Sequence, residues 1–467
     1  MPEEARCLTA GVARTVITPP IGIHLTGFAG RPPSTGIHDD LWATALVLAE
    51  RGAEPSSEQE SRIALVALDL LGLYGDELAP DIKGRIQEVT GIPPERVLLS
   101  CSHTHYGPVV AGGVTGREGG NSPEAIAYRA ALPHHLAGIV AAADAARRPV
   151  TLAVGRGSVK VGINRRERRP DGRIVLGQNP EGALDSEVLV WRLDAAAGPP
   201  PEPGAPIGWP RRSGEPVAIV VNYACHAVSL GGQMRLITAD FPGVMRRVVE
   251  QLAGGTALFI QGAAGNINPS LMGPDWDHPR RLGHTLGAEA ARVALLAQPT
   301  EALPLRLTRE RLLLPALLPP SIEAGRAQLA ALEAERERLH QADPESTRGR
   351  RWWNEQRLER VRRGLAALEG GEPLPPIPAE VAALRLGSAA LATCPGELFC
   401  EIGMAIKRAS PFTWTAVAGY TDGAVGYIPT REAYAEGGYE VESACRVNPE
   451  AGELIYEAGV RLLHHLQ

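Results

Sequence analysis

Aromatic residues make up only 4% of the 467 residues, and there are just six cysteines: Cys7, Cys101, Cys225, Cys394, Cys400 and Cys445. The cysteines are scattered, with no CxxC pair, so a small disulfide-stapled secreted fold is excluded. Reduced thiols in a cytoplasmic protein are the expectation, with the cysteines serving as small packing residues. No stretch approaches about 18 consecutive apolar residues, which argues against a membrane span. Basic charge is not in excess: the formal net charge is −6, and no nucleic-acid footprint appears. The start, Met1 to Ala10, carries acidic residues and no apolar core of a leader, so a secretory signal is not expected. What the chain does have is 44% hydrophobic residues, 52 Gly and 40 Pro, the composition of a globular protein with many turns and long, shaped loops.

Apolar, β-rich runs recur at Ile63–Asp69, Val97–Cys101, Thr151–Val154, Glu187–Leu193, Val217–Tyr223, Ala257–Gln261, Ala383–Thr393 and Trp414–Ala418. Helical patterns fall at Leu78–Thr90, Pro123–Ala146, Val244–Leu252, Arg280–Leu296, Glu397–Lys407 and Glu453–Leu466. The fold class expected is α/β of the mixed α+β kind, a layered mixed β-sheet core flanked by helices, in one domain over 1–467. Two segments read as insertions. Ala197–Pro216 is Pro/Gly-rich and predicts a surface hairpin loop. The stretch 321–370 places Ile322, Leu329, Leu332 and Leu339 on one helical face and Leu358, Val361, Leu365 and Leu368 on another. Asp343-Pro344 stands between the two, so the pattern predicts an antiparallel helical hairpin. Its charge reads as a solvated face, with a substrate lid or subunit contact as the alternative.

The stretch most telling of chemistry is Val97-Leu-Leu-Ser-Cys-Ser-His-Thr-His-Tyr-Gly-Pro108. An apolar strand ends in two histidines whose spacing puts His103 and His105 on the same side. Such a pair suits a metal or a proton relay. His226 closes another apolar run, Val220–Val228, and Asp240 leads into the following helix as a cap or a ligand. Phe259–Ser270 is a strand entering a loop of small residues and amides, in which Gly262 and Gly265 allow close backbone approach and free N–H groups could bind an oxyanion. The loop has neither Walker nor dinucleotide spacing. Glu397 follows a Pro-Gly turn at a helix start, as dipole compensation or as an oxygen ligand. Four of the nine tyrosines, Tyr420, Tyr427, Tyr434 and Tyr439, fall within one Gly-rich loop. Two histidines and a glutamate are the protein ligand set of a catalytic zinc site with an open position. The HxHxDH pattern of metallo-β-lactamases is not met, since Tyr106-Gly107-Pro108 follows His105.

These runs, in this order, resemble the amino-terminal catalytic domain of the neutral ceramidase family. The likeness takes in Gly11–Pro20, Gly36–Leu48, Leu68–Gly72, Ser102–Pro108, Asn164–Arg166, Thr238–Gly243, Gln261–Pro269, Pro395–Glu397 and the tyrosine loop. The resemblance implies a zinc-dependent hydrolase of a linear amide, an N-acyl bond, using a metal-activated water. It implies zinc ligands at His103, His226, Glu397 and Tyr427. It also implies His105 as a base or proton shuttle, Asp69 and Arg165 as polar residues near the site, and Tyr439 with Tyr434 as substrate contacts. Iron or manganese would suit the same ligands nearly as well. At the family's serine position stands Asn268, which cannot act as a nucleophile and is instead expected to donate to an oxyanion. No carboxy-terminal β-sandwich follows the tyrosine loop before Gln467, which turns the expectation toward an N-acyl amide other than ceramide. True ceramide hydrolysis and a non-catalytic, metal-stabilised binding protein are the two alternatives.

Overall fold

The structure is a computed structural model and describes residues 6–52, 61–75, 77–111, 119–196 and 214–467. The principal sheet is built from β1 (Cys7–Val16), β2 (Trp42–Arg51), β3 (Ile63–Leu68), β4 (Val97–Cys101), β5 (Arg148–Ser158), β6 (Glu187–Ala195), β7 (Pro216–Tyr223) and β8 (Thr256–Gln261). Their order across the sheet is β8-β7-β6-β5-β1-β2-β3-β4, with Gln298–Thr300 pairing beside β5. Only the two outermost pairs, β7 with β8 and β3 with β4, are parallel, so the sheet is mixed, as the sequence pattern led one to expect. β3, β4 and almost all of β7 are buried along their whole length, which is why they read as unbroken apolar runs. The expected hairpin loop at 197–216 falls almost wholly outside the described residues; the strands on either side of it, β6 and β7, pair antiparallel.

Helices α1 (Leu78–Thr90) and α2 (Pro123–Ala145) join one core cluster with β2, β3 and β4. Helices α3 (Asp240–Ala253) and α4 (Asp277–Leu296) join another with β6, β7 and β8. A second sheet, β9 (Leu305–Leu314), β10 (Ile377–Leu386), β11 (Ala389–Thr393) and β12 (Trp414–Ala418), packs on the opposite face of the first. Between β9 and β10 run α5 (Ile322–Gln341) and α6 (Pro344–Gly370), the expected helical hairpin. Ser321 caps the first helix through Ala324 N–H at 3.1 Å, and Asp343 caps the second through Ser346 N–H at 2.8 Å, with Pro344 at the opening position. α7 (Cys400–Ala409) and α8 (Ala451–His465) close the far face of the second sheet. No helix among the described residues is long and apolar enough to cross a membrane.

Three expectations about local structure are corrected. The run Ala383–Thr393 is two strands joined at Gly387, whose φ of 58° supplies the turn. Glu397 does not begin a helix: Glu397–Leu398 is a short strand paired with Tyr427–Ile428, and the helix starts at Cys400. Asp240 is not the cap of its helix. It sits at φ 57° with its carboxylate turned to Ser229 N–H at 2.9 Å and Phe241 N–H at 2.6 Å, and burial pushes that carboxyl up to about 6.

The feature that makes a site is the approach of the two sheet edges. Gln261, at the end of β8, donates from Nε2 to the carbonyl of Ser102, just past β4, at 3.1 Å, and to that of Cys225, past β7, at 2.7 Å. An isolated parallel bridge, Thr104 to Ala227, then locks the segments beyond β4 and β7 together.

Candidate metal centre

His103 and His105 follow β4, and His226 follows β7, so the bridge at Thr104 sets all three imidazoles side by side. The expected facing of His103 and His105 is met, but strand alternation is not the cause. His103 has left the strand and takes a left-handed φ of 61°. The Nε2 atoms of His103 and His105 are 3.3 Å apart, and the candidate ligand atoms of the three histidines all lie within 4.8 Å of one another. Glu397 enters from the short strand that follows the second sheet, with Oε2 3.4 Å from His103 Nε2 and 3.2 Å from His226 Nε2. Its strand partner is Tyr427, in register, which explains how a glutamate and a tyrosine thirty residues apart reach one place. Gly265 is required there: a Cβ on it would collide with the Glu397 carbonyl, and its N–H donates to Leu398 O at 2.8 Å.

Hydrogen bonding decides the state of the imidazoles. His103 Nδ1 meets Leu71 O at 2.6 Å, and His226 Nδ1 meets Ala264 O at 2.7 Å. A carbonyl only accepts, so both Nδ1 atoms carry a hydrogen and the Nε2 atoms are the ones left to ligate. Burial, then Arg165, lowers His226 to about 4, so its ring is neutral at physiological pH. Burial pushes the Glu397 carboxyl up, but His103 and His226 outweigh it and hold it well below the usual carboxylate range. An ionised carboxylate therefore faces the Nε2 atoms of both rings at 3.2–3.4 Å. Metal-ligating atoms crowded so closely fit a shared cation, and backbone carbonyls behind ligating imidazoles are the usual outer support of a metal site. The donor set is nitrogen and carboxylate oxygen. No cysteine joins it, and Cys101, Cys225 and Cys394 are buried thiols whose pKa values burial raises.

Around these donors stand further polar groups. Arg165 is buried. Its Nη1 donates to Asn268 Oδ1 at 3.1 Å and lies 3.3 Å from His226 Nε2, while its Nε donates to Glu440 Oε1 at 2.7 Å. The guanidinium lies over the rings of Tyr427 and Tyr439, at 5.2 and 5.9 Å, and those rings meet edge to face at 5.9 Å. Burial raises Tyr427 well above the ordinary phenol value, so it stays a hydrogen-bond donor. His105 is held neutral by burial, then by His103 and His226, and its Nδ1 has no hydrogen-bond partner. Its backbone carbonyl takes Arg31 Nη2 at 2.5 Å, Phe28 packs edge-on against its ring at 5.0 Å, and Gly27 lies so close that a Cβ would strike the ring.

The structure thus brings together His103, His105, His226, Glu397, Tyr427, Arg165, Asn268 and Tyr439. Two expected residues are not among them. Asp69 is buried against Arg246, with Oδ1 to Nη1 2.8 Å and Oδ2 to Nη2 2.5 Å, and takes Trp42 N–H at 2.9 Å; its carboxylate is fully used. Tyr434 gives its hydroxyl to the carbonyls of Val447 at 2.8 Å and Asn448 at 3.0 Å. The N–H groups proposed for an oxyanion are also engaged, Gly262 with Tyr223 O at 2.8 Å and Ile267 with Ala264 O at 2.9 Å. Sequence reasoning missed Arg31 and Glu440, the latter bridging Arg165 and Arg166; it named Tyr420 among the clustered tyrosines without a role of its own, and its ring lies 4.0 Å from His103. Tyr420 shares the Gly-rich tyrosine loop, the one signal that could have found it.

No family model matches the chain, and no curated protein does. Among solved structures it is similar to the neutral ceramidase from Pseudomonas aeruginosa, at 20% identity and a TM-score of 0.70 over 99% of this chain and 75% of that one. It is similar also to a ceramidase complexed with C2, at 20% identity and a TM-score of 0.73 over the same shares. The chain has the neutral ceramidase fold.

Proposed function

We propose that the chain is a zinc-dependent amidase of the neutral ceramidase family that hydrolyses the N-acyl bond of a lipid amide, with ceramide the first substrate to test. The observation carrying this reading is the convergence of His103, His226 and Glu397, nitrogen and carboxylate ligand atoms at 3.2–3.4 Å, inside the neutral ceramidase fold. His103, His226 and Glu397, with Tyr427, would hold the ion. When bound, zinc supplies Lewis acidity, polarising a carbonyl and acidifying water. The chain's own groups do the rest. Tyr427 and Tyr439 offer phenolic O–H donors to the oxygen of the attacked carbonyl, and the Arg165 cation, fixed by Glu440, adds positive potential there. Neutral His105 takes the proton released as water adds and returns it to the amine as the C–N bond breaks.

A second reading is favoured by one observation. Asn268 stands where the family has serine and accepts from Arg165, so a substrate other than ceramide, a linear N-acyl amide with a different amine, would meet an amide rather than a hydroxyl. The test is release of fatty acid from labelled ceramide in detergent micelles, run beside N-acyl amides of several amines. Metal analysis is made on the same preparations. Hydrolysis that disappears in folded His103→Ala supports the reading. Full activity in that variant, or no hydrolysis of any amide by metal-loaded wild type, ends it. Preference for ceramide selects the first reading, and preference for another amine selects the second.

A further inference from the structure

Helix α6 bridges two segments that border the cluster, and it does so with one face. Gly349, Trp353 and Arg360 lie at i, i+4 and i+11, a single helical stripe. At one end of the stripe, Gly349 rests on the backbone of Ala29 and Gly30 rests on Gly349, both so closely that a Cβ on either glycine would collide with main chain. That is the loop whose Gly27, Phe28 and Arg31 hold His105. At the other end, Arg360 donates to the carbonyls of Ser443 and Cys445, both at 2.9 Å, and to that of Glu442. In the middle, Trp353 meets the ring of Tyr439 edge to face at 5.9 Å, and Tyr439 meets Tyr427 in the same way at 5.9 Å. Trp352 extends the row, 4.7 Å from Trp353. A continuous file of rings therefore leads from the hairpin to Tyr427 beside the candidate metal cluster.

The two tryptophans stand out on this helix. α6 is densely charged, and its apolar contacts with α5 are made by Leu358 and Val361 against Leu332 and Leu329, a small core that does not include Trp352 or Trp353. Both indoles remain partly open in a chain with only seven tryptophans. Apolar area held open beside a polar reaction centre, instead of being spent on a core, is what a lipid amide needs for the part of it that does not react.

We propose that α6 is the roof of the substrate channel and that Trp352 and Trp353 form the platform on which an alkyl chain of the lipid amide lies, making the hairpin the chain-length selector of this site. The proposal rests on the amidase reading for its substrate, and its geometry on α6 alone. The chain on the platform is either the acyl tail or the tail of the amine, and the test separates them.

Wild type, Trp353→Ala and Trp353→Phe are compared on two substrate series, one varying the acyl chain from six to sixteen carbons, the other varying the amine in the same way. Palmitate binding to each protein is followed by tryptophan fluorescence. For the series whose tail uses the platform, Trp353→Ala should raise KM for the sixteen-carbon member about tenfold while moving the six-carbon member less than about twofold, because each buried methylene contributes separately. kcat should change little, and Trp353→Phe should restore most of the loss. A merely structural role would lower kcat alike at both chain lengths. Sensitivity in neither series, with palmitate binding unchanged, overturns the proposal and leaves the amidase reading intact. A wild type that hydrolyses no amide yet loses palmitate binding on Trp353→Ala ends the amidase reading and keeps the platform.

Discussion

Substituting Asp69 by asparagine removes one half of a buried fork. In the folded chain both carboxylate oxygens meet the two terminal nitrogens of Arg246, at 2.8 and 2.5 Å, and the side chains are 1% and 10% exposed. Removing one partner of such a pair leaves the other charge uncompensated in a low-dielectric interior, a loss of about 3–5 kcal/mol. Asparagine keeps an acceptor for the Trp42 N–H, which places the expected loss near the low end, about 3 kcal/mol. A double variant, Asp69→Leu with Arg246→Met, takes out both charges and leaves none stranded. It should be more stable than the sum of its single changes by about 2 kcal/mol or more. The assay is denaturant unfolding at fixed metal concentration for the two single variants and the double. Metal content and amide hydrolysis per folded chain are measured where Asp69→Asn is fully folded. Those two quantities should stay within about threefold of wild type, since the Asp69 carboxylate is not among the convergent donors. Refutation would be a stability loss under about 1 kcal/mol together with a hundredfold drop in turnover. That outcome would return Asp69 to the chemistry, where the family resemblance had put it.

Three further expectations follow from the geometry. His226→Ala should lose bound metal while keeping its secondary structure, and elemental analysis beside circular dichroism decides it; a metal-replete variant would show that the Nε2 lone pair is not a ligand. Gly265→Ala drives a Cβ into the Glu397 carbonyl and should weaken metal binding by about 10- to 100-fold through displacement of that carboxylate, as read by competition with a chelator. Asp422 gives a pH signature. Burial would raise its carboxyl, but Lys83 at 3.0 Å, Arg309 at 2.7 Å and the Leu99 N–H at 2.8 Å outweigh it and hold it below the usual range. A depressed folded pKa contributes stability that is present above the unfolded value, about 4, and is lost as pH falls through the folded one. Asp422→Asn, which tolerates the residue's φ of 62°, should therefore be less stable at pH 7 but fall less steeply below about pH 4. Parallel acid-unfolding curves for the two proteins would sink the argument.

What the sequence made legible, and what it did not, divides by the range of the interactions. Strand β4 and helix α1 have the bounds their patterns predict, because periodic burial is a local property. The helical hairpin was equally readable from its two apolar stripes and its Asp-Pro break. β1 and β2 escaped notice: β1 ends with partly open residues that blur its period, and β2 is buried almost throughout without a turn signal at its start. The site separates the two kinds of information most clearly. His103 and His105 were paired correctly by a spacing rule, yet the cause is a left-handed residue and a bridge to Ala227, neither visible in a strand pattern. Glu397 and Tyr427 look unrelated in sequence and are register partners in space. Asp69 shows the opposite case: its neighbourhood reads as part of the site while its carboxylate is held by Arg246, far along the chain. A local reading can thus name residues capable of chemistry, but which of them converge is set by the approach of β4 and β8 across the sheet. The Gln261 side chain, reaching the carbonyls of both Ser102 and Cys225, holds that approach in place. Gln261→Leu would fill similar volume while cutting these two bonds and the one its Oε1 accepts from Cys225 N–H at 3.1 Å, and it should loosen the His103–His226 spacing and lower metal affinity without touching any donor. Unchanged metal affinity in a folded Gln261→Leu would mean that the bridge at Thr104 suffices alone.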